Sequence, residues 1–432
     1  MILAAKNLTF CFLLFLSSSL SAQQWTLDSC LAYATEHNKT LLSQQQNQLT
    51  ASIDKKTAWA QFAPEVEFVA GLDCYWQIPI QAFPAELLGG EAGTFVAVPT
   101  GTPLMGNYGV QARMKLVDAQ VWQNIKLSAL RQQAAQNEFQ SLHRLLFRNV
   151  NMAFLAVQQQ QENLDIIRKR YDNCAEIHNL IAQQFDRGLT DKISLNQSES
   201  LLKEREENRS VAESALQNAL LDLKFWMGYP LDSELSISGD KIFRPVEYTT
   251  FHTELLPDYD VQKSKVDVAK QQNKFAIAGL YPTLNLKSGY GQSGFGEKSG
   301  QFDWYTSGFV GISLSIPVFS PTKAYSAKRQ KYLIKQAEYD FSAYLDEQQK
   351  EYLQKTVLLN DALKSLQIQQ YNVRLAEENE RLSRRKIEKG IIDMVQFKQI
   401  QQDLTRSQET LNDSQIKYLK QYVEIQYLQS NE

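Results

Sequence analysis

The sequence predicts a mainly α-helical protein with a β component that enters a membrane. Four segments alternate apolar and polar residues strictly, which is the pattern of strands with one apolar face. Two long stretches, residues 119–187 and 322–389, contain neither proline nor glycine, which is typical of uninterrupted helices. The same order of segments occurs twice along the 432 residues, and this internal duplication predicts a fold of two repeats.

Composition excludes several classes of protein. With 45 Lys and Arg against 48 Asp and Glu, the net charge is −3, so the sequence lacks the basic surface of a nucleic-acid-binding protein. A mean hydropathy of −0.38 excludes a bundle of membrane-spanning helices but is compatible with alternating membrane strands. The four histidines and four cysteines lie apart, without the spacing of a metal site or a catalytic triad. No catalytic residue, metal or cofactor is therefore predicted.

The N-terminal segment, residues 1–22, has the three parts of a secretory signal peptide. Lys6 supplies the positive charge, residues 8–16 are apolar, and small residues precede Ala22. About nine apolar residues are too few to cross the roughly 30 Å of hydrocarbon in a bilayer, so a membrane anchor is the weaker alternative. We expect export and removal of this segment, with the exact cleavage site left open. Removal of Cys11 leaves an odd number of cysteines, which excludes a fully paired disulfide framework.

The four alternating segments, residues 65–78, 108–116, 283–290 and 308–316, are predicted to be strands. Each is long enough, or nearly so, to cross a bilayer as a tilted strand, which takes about nine to eleven residues. Aromatic residues gather near the strand ends, where membrane proteins place their interfacial belts. A soluble two-sheet core is the alternative, but such a core would not favour aromatic residues at strand ends.

The segments between the strands are predicted to be loops or helices. Residues 79–107 contain four prolines and five glycines, a density that neither a helix nor a central strand tolerates, so a long loop is predicted there. Residues 291–303, rich in glycine and serine, are predicted to form the equivalent loop of the second half. Helices over about 27–60 and 190–225 are each about half as long as the two uninterrupted stretches. Along residues 397–428, mostly apolar residues recur every three or four positions, as in a coiled coil.

Each long helix is predicted to end at a glycine that follows a basic residue. These glycines are Gly188 after Arg187 and Gly390 after Lys389. Glycine at this place is a usual C-terminal signal of a helix, and a following Thr or Asp is suited to cap the next helix. Two helical hairpins with tips at residues 188 and 390 are therefore predicted.

The two halves of the chain are predicted to be structural repeats, the first over residues 23–245 and the second over 246–432. Each half contains a helix, two strands and one helical hairpin. Four strands do not close into a barrel, and each unpaired edge N–H or C=O would cost several kcal/mol in lipid. Three copies supply twelve strands. The sequence therefore predicts a homotrimer with a 12-stranded β-barrel continuous with an α-helical coiled-coil barrel.

Four short motifs, together with the duplicated organisation, resemble the TolC family of outer membrane efflux proteins, also called outer membrane factors. They are WTLDSCLAYA at residues 25–34, the tip sequences RGL at 187–189 and KGI at 389–391, and WMGYP at 226–230. The resemblance covers essentially the whole mature chain. It implies a barrel in the cell outer membrane and a helical barrel in the periplasm, whose tips dock on a periplasmic adaptor of an inner-membrane pump.

The resemblance makes the two tips the candidate site. It implies an adaptor-docking role for Arg187, Gly188, Leu189, Thr190, Lys389, Gly390, Ile391 and Ile392. Family members commonly close the pore with carboxylates a few residues after the glycine. Here the nearby acids are Asp191 and Asp393, only three residues after each glycine, and polar uncharged residues stand further on. These two acids are therefore predicted to be either a periplasmic gate or helix caps.

The function implied by the resemblance is a passive exit duct for small molecules, without catalysis. An inner-membrane pump would drive transport through the adaptor, and outer membrane lipid would surround the strands. A type I protein-secretion duct has the same fold and stays open as an alternative. A periplasmic coiled-coil structural or adhesin protein with a soluble head is the weaker alternative. The sequence names neither the cargo nor the class of pump, because a wide aqueous lumen selects weakly.

Overall fold

The computed structural model describes residues 24–239, 251–298, 300–388 and 391–429. The predicted signal peptide, residues 1–22, lies outside the described residues. In chain order the helices and strands are β1 Gln24–Trp25, α1 Leu27–His37, α2 Lys39–Ala60, β2 Glu65–Cys74, β3 Ile80–Pro84, β4 Phe95–Pro99, β5 Leu104–Asp118, α3 Ala119–Asp186, α4 Lys192–Met227, β6 Ser236–Ile237, α5 Tyr259–Ala278, β7 Thr283–Lys298, β8 Gln301–Ser315, α6 Pro321–Glu388 and α7 Met394–Gln429.

Four long strands form one antiparallel sheet in the order β2-β5-β7-β8. Strand β2 pairs with β5 from Glu65 opposite Arg113 to Cys74 opposite Leu104. The central strands β5 and β7 pair along most of their length, with one irregularity between Lys115 and Val117. Strands β2 and β8 each have one partner in this sheet, so they are its two edges.

The strand boundaries differ from those predicted. The strand predicted over 65–78 ends at Cys74, and the one predicted over 108–116 runs from Leu104 to Asp118. Residues 79–107 are not a continuous loop, because β3 and β4 pair there as a separate hairpin. The prolines do not prevent this pairing, since Pro84 and Pro99 lie on the strands of a two-stranded sheet, and both strands are edges, where a missing N–H is tolerated.

The prediction of a loop over residues 291–303 is also wrong. The strands predicted over 283–290 and 308–316 extend towards each other as β7 and β8, and Gly291 pairs with Ser307. Glycine and serine lower the strand propensity of this segment, but every such residue still offers a backbone N–H and C=O to its neighbour. The sheet therefore continues almost to the turn, where Gly300 has a left-handed φ of 89°.

The helices of the two halves match in length. Helices α3 and α6 each have 68 residues, and α4 and α7 each have 36. The helix predicted over 27–60 is interrupted at Asn38, which separates α1 from α2. The Asn38 side-chain oxygen accepts hydrogen bonds from the backbone N–H groups of Thr40 and Leu41, both at 3.0 Å. Asn38 therefore caps the start of α2.

The described residues divide into two compact units. The first unit contains residues up to Gln46, Asn137–Val261 and residues from Ser342 onward. Its apolar core has two clusters, in which residues of the hairpin helices pack with residues from other segments. The larger one includes Cys30, Leu41, Val150, Phe154, Leu223 and Met227, and the second one includes Leu256, Leu359, Ala362, Ile416 and Leu428. A buried carboxylate also joins three helices, since Glu424 pairs with Arg148 and with Lys355.

The second unit, Asn47–Gln136 and Gln262–Phe341, contains the four-stranded sheet. Its buried apolar cluster is small, consisting of Ala58, Val121 and Ile125 with Phe62 packed against it. Many apolar side chains of the sheet are exposed, among them Phe68, Leu72, Val310, Ile312 and Leu314. Across the described ranges, no helix is both long enough and apolar enough to cross a bilayer.

Two glycines with similar backbone angles provide a matched test of the packing in the first unit. Gly228 (φ 72°) and Gly188 (φ 69°) both have left-handed conformations. A Cβ added at Gly228 would lie 2.4 Å from the His37 carbonyl oxygen, whereas at Gly188 it would meet open space. We expect Gly188→Ala to cost about 1–2 kcal/mol from backbone strain. Gly228→Ala should cost at least about 3 kcal/mol, because a fixed backbone atom blocks the new methyl group.

Thermal unfolding followed by far-UV circular dichroism in detergent would measure this difference. The melting temperature of the Gly228→Ala variant should fall clearly further than that of the Gly188→Ala variant. Equal melting temperatures would contradict the close approach of Gly228 to His37.

Candidate functional site at the helical hairpin turns

The first hairpin turn lies between Asp186 and Lys192 and ends α3 by a regular hydrogen-bond pattern. Gly188 donates to the Phe185 carbonyl at 2.9 Å, and Leu189 donates to the Gln184 carbonyl at 2.8 Å. With Gly188 in the left-handed region, this is a Schellman motif, which satisfies carbonyls that the helix end leaves free. The sequence Arg187-Gly188-Leu189 therefore forms a sharp turn.

The second hairpin turn has the same terminating hydrogen bond. Ile391 donates to the Lys386 carbonyl at 2.8 Å, across the same five-residue interval as in the first turn. Lys389 and Gly390, which were predicted to belong to the docking site, lie outside the described residues. Ile392 is half-buried, whereas Ile391 is exposed.

The two turns expose apolar side chains at equivalent positions. Leu189 and Ile391, each one residue after its glycine, are 73% and 65% exposed. Ile193 and Val395, each five residues after its glycine, are 66% and 62% exposed. Ile193 and Val395 are not among the residues predicted for the docking site, because the sequence pattern places both of them in the helices that follow. Their equal separation from the two glycines, five residues along the sequence, is the signal from which they could have been predicted.

The helices that follow the two turns, α4 and α7, lie side by side near their N-terminal ends. Ile193 of α4 and Val395 of α7 line one groove of about 450 Å³, together with Leu201 and Lys398. The Lys398 Nζ lies 3.1 Å from a carboxylate oxygen of Glu204, so an ion pair joins α4 to α7 beside the groove. Arg187 and Thr190, which lie in the first turn, do not line this groove.

The two acids predicted for the gate cap the helices that follow them. The Asp191 Oδ1 accepts a hydrogen bond from the Ser194 N–H at 2.7 Å, and the Asp393 Oδ1 accepts one from the Gln396 N–H, also at 2.7 Å. The hydrogen bonds from Ser194 hold the pKa of Asp191 below its ordinary value. Both acids are therefore N-caps, while a gate formed from them stays a prediction.

Within the described residues, no group of three or more His, Cys, Asp or Glu side chains is placed to hold a metal ion. The turns present exposed apolar side chains beside the capping carboxylates of Asp191 and Asp393. Such a surface is suited to binding another protein.

The family of the chain follows from comparison with known proteins. Residues 31–229 and 256–428 match the family model described as outer membrane efflux protein, so the chain belongs to that family. The predictions of the family and of a location in the outer membrane are thereby confirmed, and the family and fold are those of channel proteins. The alkaline protease secretion protein AprF of Pseudomonas aeruginosa is 25% identical over 200 residues, which are 44% of this chain and 42% of that protein.

Solved structures confirm the predicted class of a mainly helical fold with a β component, while the trimeric barrel stays a prediction. The CmeC outer membrane channel of Campylobacter jejuni aligns with a TM-score of 0.75, covering 94% of this chain and 87% of that one. The outer membrane protein VceC of Vibrio cholerae aligns with a TM-score of 0.71, covering 93% of this chain and 95% of that one. Both are 14% identical to this chain, so they inform the fold alone.

Substitution of Asp191 would separate its capping role from its charge. Asp191→Ala removes the oxygen that accepts the Ser194 N–H, whereas Asp191→Asn keeps an accepting oxygen and removes the charge. We expect faster amide hydrogen exchange at residues 192–195 in the Ala variant and nearly unchanged exchange in the Asn variant. Because the pKa of Asp191 is lowered in the folded state, its capping contribution is complete above about pH 4 and is lost as the pH falls through the lowered pKa.

Hydrogen exchange measured by mass spectrometry, corrected for the intrinsic rate at each pH, would test this. Unchanged exchange in the Ala variant would show that Asp191 does not stabilise the start of α4.

Proposed function

We propose that the chain is one subunit of a homotrimeric exit duct in the outer membrane, which passes small molecules from an inner-membrane pump to the exterior. The observation that carries this proposal is the four-stranded sheet with two unpaired edges and two chemically different faces. On β8, the apolar residues Val310, Ile312 and Leu314 alternate with Gly311 and Ser313. Such a sheet is suited to face lipid on one side and water on the other.

The edges of the sheet support assembly of three chains. Strand β2 and strand β8 each leave one side of the backbone without a partner in this sheet. Pairing of β8 with β2 of the next copy would satisfy these groups, and three copies would form a closed ring of twelve strands. The ion pair of Glu67 with Arg113, at 2.7 Å between neighbouring strands, would then lie on the water-filled inner face.

The helices carry apolar residues that support the same assembly. On α6, Ile368, Leu375 and Leu382 recur at intervals of seven residues and are 44–58% exposed. A heptad of exposed apolar residues is the pattern of a helix that packs against another chain. In the proposed trimer, each half of the chain, residues 23–245 and 246–432, would supply two strands to the β-barrel and one hairpin to the coiled-coil barrel in the periplasm.

The hairpin turns are the proposed docking site for a periplasmic adaptor protein. The exposed side chains of Leu189 and Ile391, and the groove lined by Ile193 and Val395, support this role. An apolar patch rimmed by polar groups is the usual form of a protein-binding site. The duct itself would be passive and without catalysis, since the pump supplies the energy.

Protein secretion is the second candidate function. It is favoured by the similarity to AprF, which is described as an alkaline protease secretion protein. Accumulation assays with small dyes and secretion assays with the pump's own protein substrate, each in cells that lack this chain, would separate the two functions. Loss of dye export alone would support efflux, and loss of protein export alone would support secretion.

A charge on the proposed lipid face should prevent assembly, whereas the same charge on the neighbouring residue should not. Ile312→Asp would place a carboxylate in hydrocarbon, which is unfavourable, although by less than the roughly 2–4 kcal/mol per chain that Arg or Lys costs at the bilayer midplane. Ser313→Asp would place it on the proposed water-filled face. We expect little heat-modifiable trimer in the outer membrane for the Ile312 variant and wild-type amounts for the Ser313 variant.

Planar-bilayer recordings of the purified trimer would complete this test. The Ser313→Asp variant should form channels with increased preference for cations, because three added carboxylates would line the pore. The proposed duct would be contradicted if the wild-type protein were extracted without detergent as a monomer, or if the two variants assembled equally well.

A charge at the exposed turn should weaken docking without affecting assembly. We expect Leu189→Asp to reduce adaptor affinity at least about tenfold, since exposed apolar anchors commonly dominate binding energy. Leu87→Asp, at a residue that is also exposed (74%) but lies outside the hairpin turns, is the matched control. Accumulation of a fluorescent efflux substrate should rise only in the Leu189 variant at equal amounts of trimer. Equal accumulation in both variants would contradict the docking role.

A further inference from the structure

Two arginines are buried near each other in the first unit, and neither of them forms an ion pair with a carboxylate of the described residues. Arg170 on α3 is 5% exposed, and Arg205 on α4 is 7% exposed. In the part of the chain that the structure describes, neither guanidinium lies within 4 Å of a carboxylate oxygen. Burial of like charges that lack counter-charges is unfavourable, so this arrangement requires an explanation.

The hydrogen bonds of the two guanidinium groups do not supply a negative charge. Arg170 donates to the side-chain oxygen of Gln408 at 2.9 Å and to the backbone carbonyl of Gln401 at 3.5 Å. Both acceptors are neutral. The Nε of Arg205 is buried and has no hydrogen-bond partner.

Nearby acids compensate these charges only in part. Burial and the neighbouring Arg205 lower the pKa of Arg170, and Glu380 is the acid that opposes this most strongly. Glu380 is itself 3.5 Å from the Nε of Arg384. Burial and the neighbouring Asp413 raise the pKa of Glu409 by more than Arg205 and Arg170 lower it, so the charged form of this carboxyl is disfavoured although both arginines lie near it.

A cavity of about 450 Å³ opens beside the two arginines, between α3, α4 and α7. Asn163, Asn208, Thr405 and Arg406 also line it, and Glu409 is the one carboxylate among its lining residues. These side chains offer several hydrogen-bond donors. The cavity is large enough for a small anion with its remaining water molecules, since one water occupies about 30 Å³.

We propose that this cavity binds a small multivalent oxyanion, of the phosphate or sulfate class, between Arg170 and Arg205. The planar guanidinium group pairs with such oxyanions through two parallel hydrogen bonds. The bound anion would compensate the two buried charges and join α3 to α4 and α7. This inference is independent of the proposed duct, because it requires neither cargo nor an adaptor.

Titration of the purified full chain in detergent would test the site. Inorganic phosphate and sulfate are compared with chloride at equal ionic strength, by isothermal calorimetry and by the melting temperature. We expect a saturable heat and a melting temperature that rises with phosphate or sulfate, because a ligand of the folded state stabilises it. Arg205→Gln should raise the dissociation constant at least about tenfold.

Two further variants keep the test decisive. Arg168→Gln removes a more exposed arginine of α3, paired with Glu213, and should bind phosphate like the wild type. Glu409→Gln removes the negative charge from the cavity and should lower the dissociation constant. Absence of any effect beyond ionic strength, wild-type binding by Arg205→Gln, or weaker binding by Glu409→Gln would each overturn the proposed site.

Discussion

Hydrogen bonding along the two edges of the sheet is the constraint on which the proposed assembly depends. Strands β2 and β8 each present an unpartnered row of N–H and C=O groups within this sheet, and lipid offers such groups no substitute. In the proposed trimer, pairing with neighbouring copies would satisfy both edges at once. In that assembly the same constraint would account for the length of the strands, 10 to 16 residues, because pairing would have to continue across the whole hydrocarbon layer.

The helical part obeys a related rule at its ends, where free carbonyls and N–H groups also require partners. At the first turn, Gly188 and Leu189 satisfy the last carbonyls of α3, while Asp191 satisfies the first N–H groups of α4. Ile391 and Asp393 do the same at the second turn. Few residues separate the helices at each turn, and the apolar side chains of Leu189 and Ile391 are largely exposed.

Much of this fold could be predicted from the sequence, because long helices and alternating strands leave strong periodic signals. The errors arose where local composition was overruled by pairing or by capping. Residues 79–107 contain a hairpin despite their prolines, and residues 291–303 form strands despite their glycines. Asn38 ends a helix although neither proline nor glycine is present, because its side chain caps the next one. Of the candidate site, the turns were predictable, but the grouping of Ile193 with Val395 depends on contacts between distant parts of the chain.

The junction between α1 and α2 has a mechanical consequence. The Asn38 side chain donates to the Trp226 carbonyl at 2.9 Å, and the backbone of His37 lies against Gly228 at the end of α4. The short Asn38 side chain and main-chain atoms of His37, Trp226 and Gly228 make this joint. The ends of α1 and α4 and the start of α2 therefore meet in one closely packed joint. A rotation imposed on α4 would be transmitted to α1 and α2 rather than absorbed at this joint.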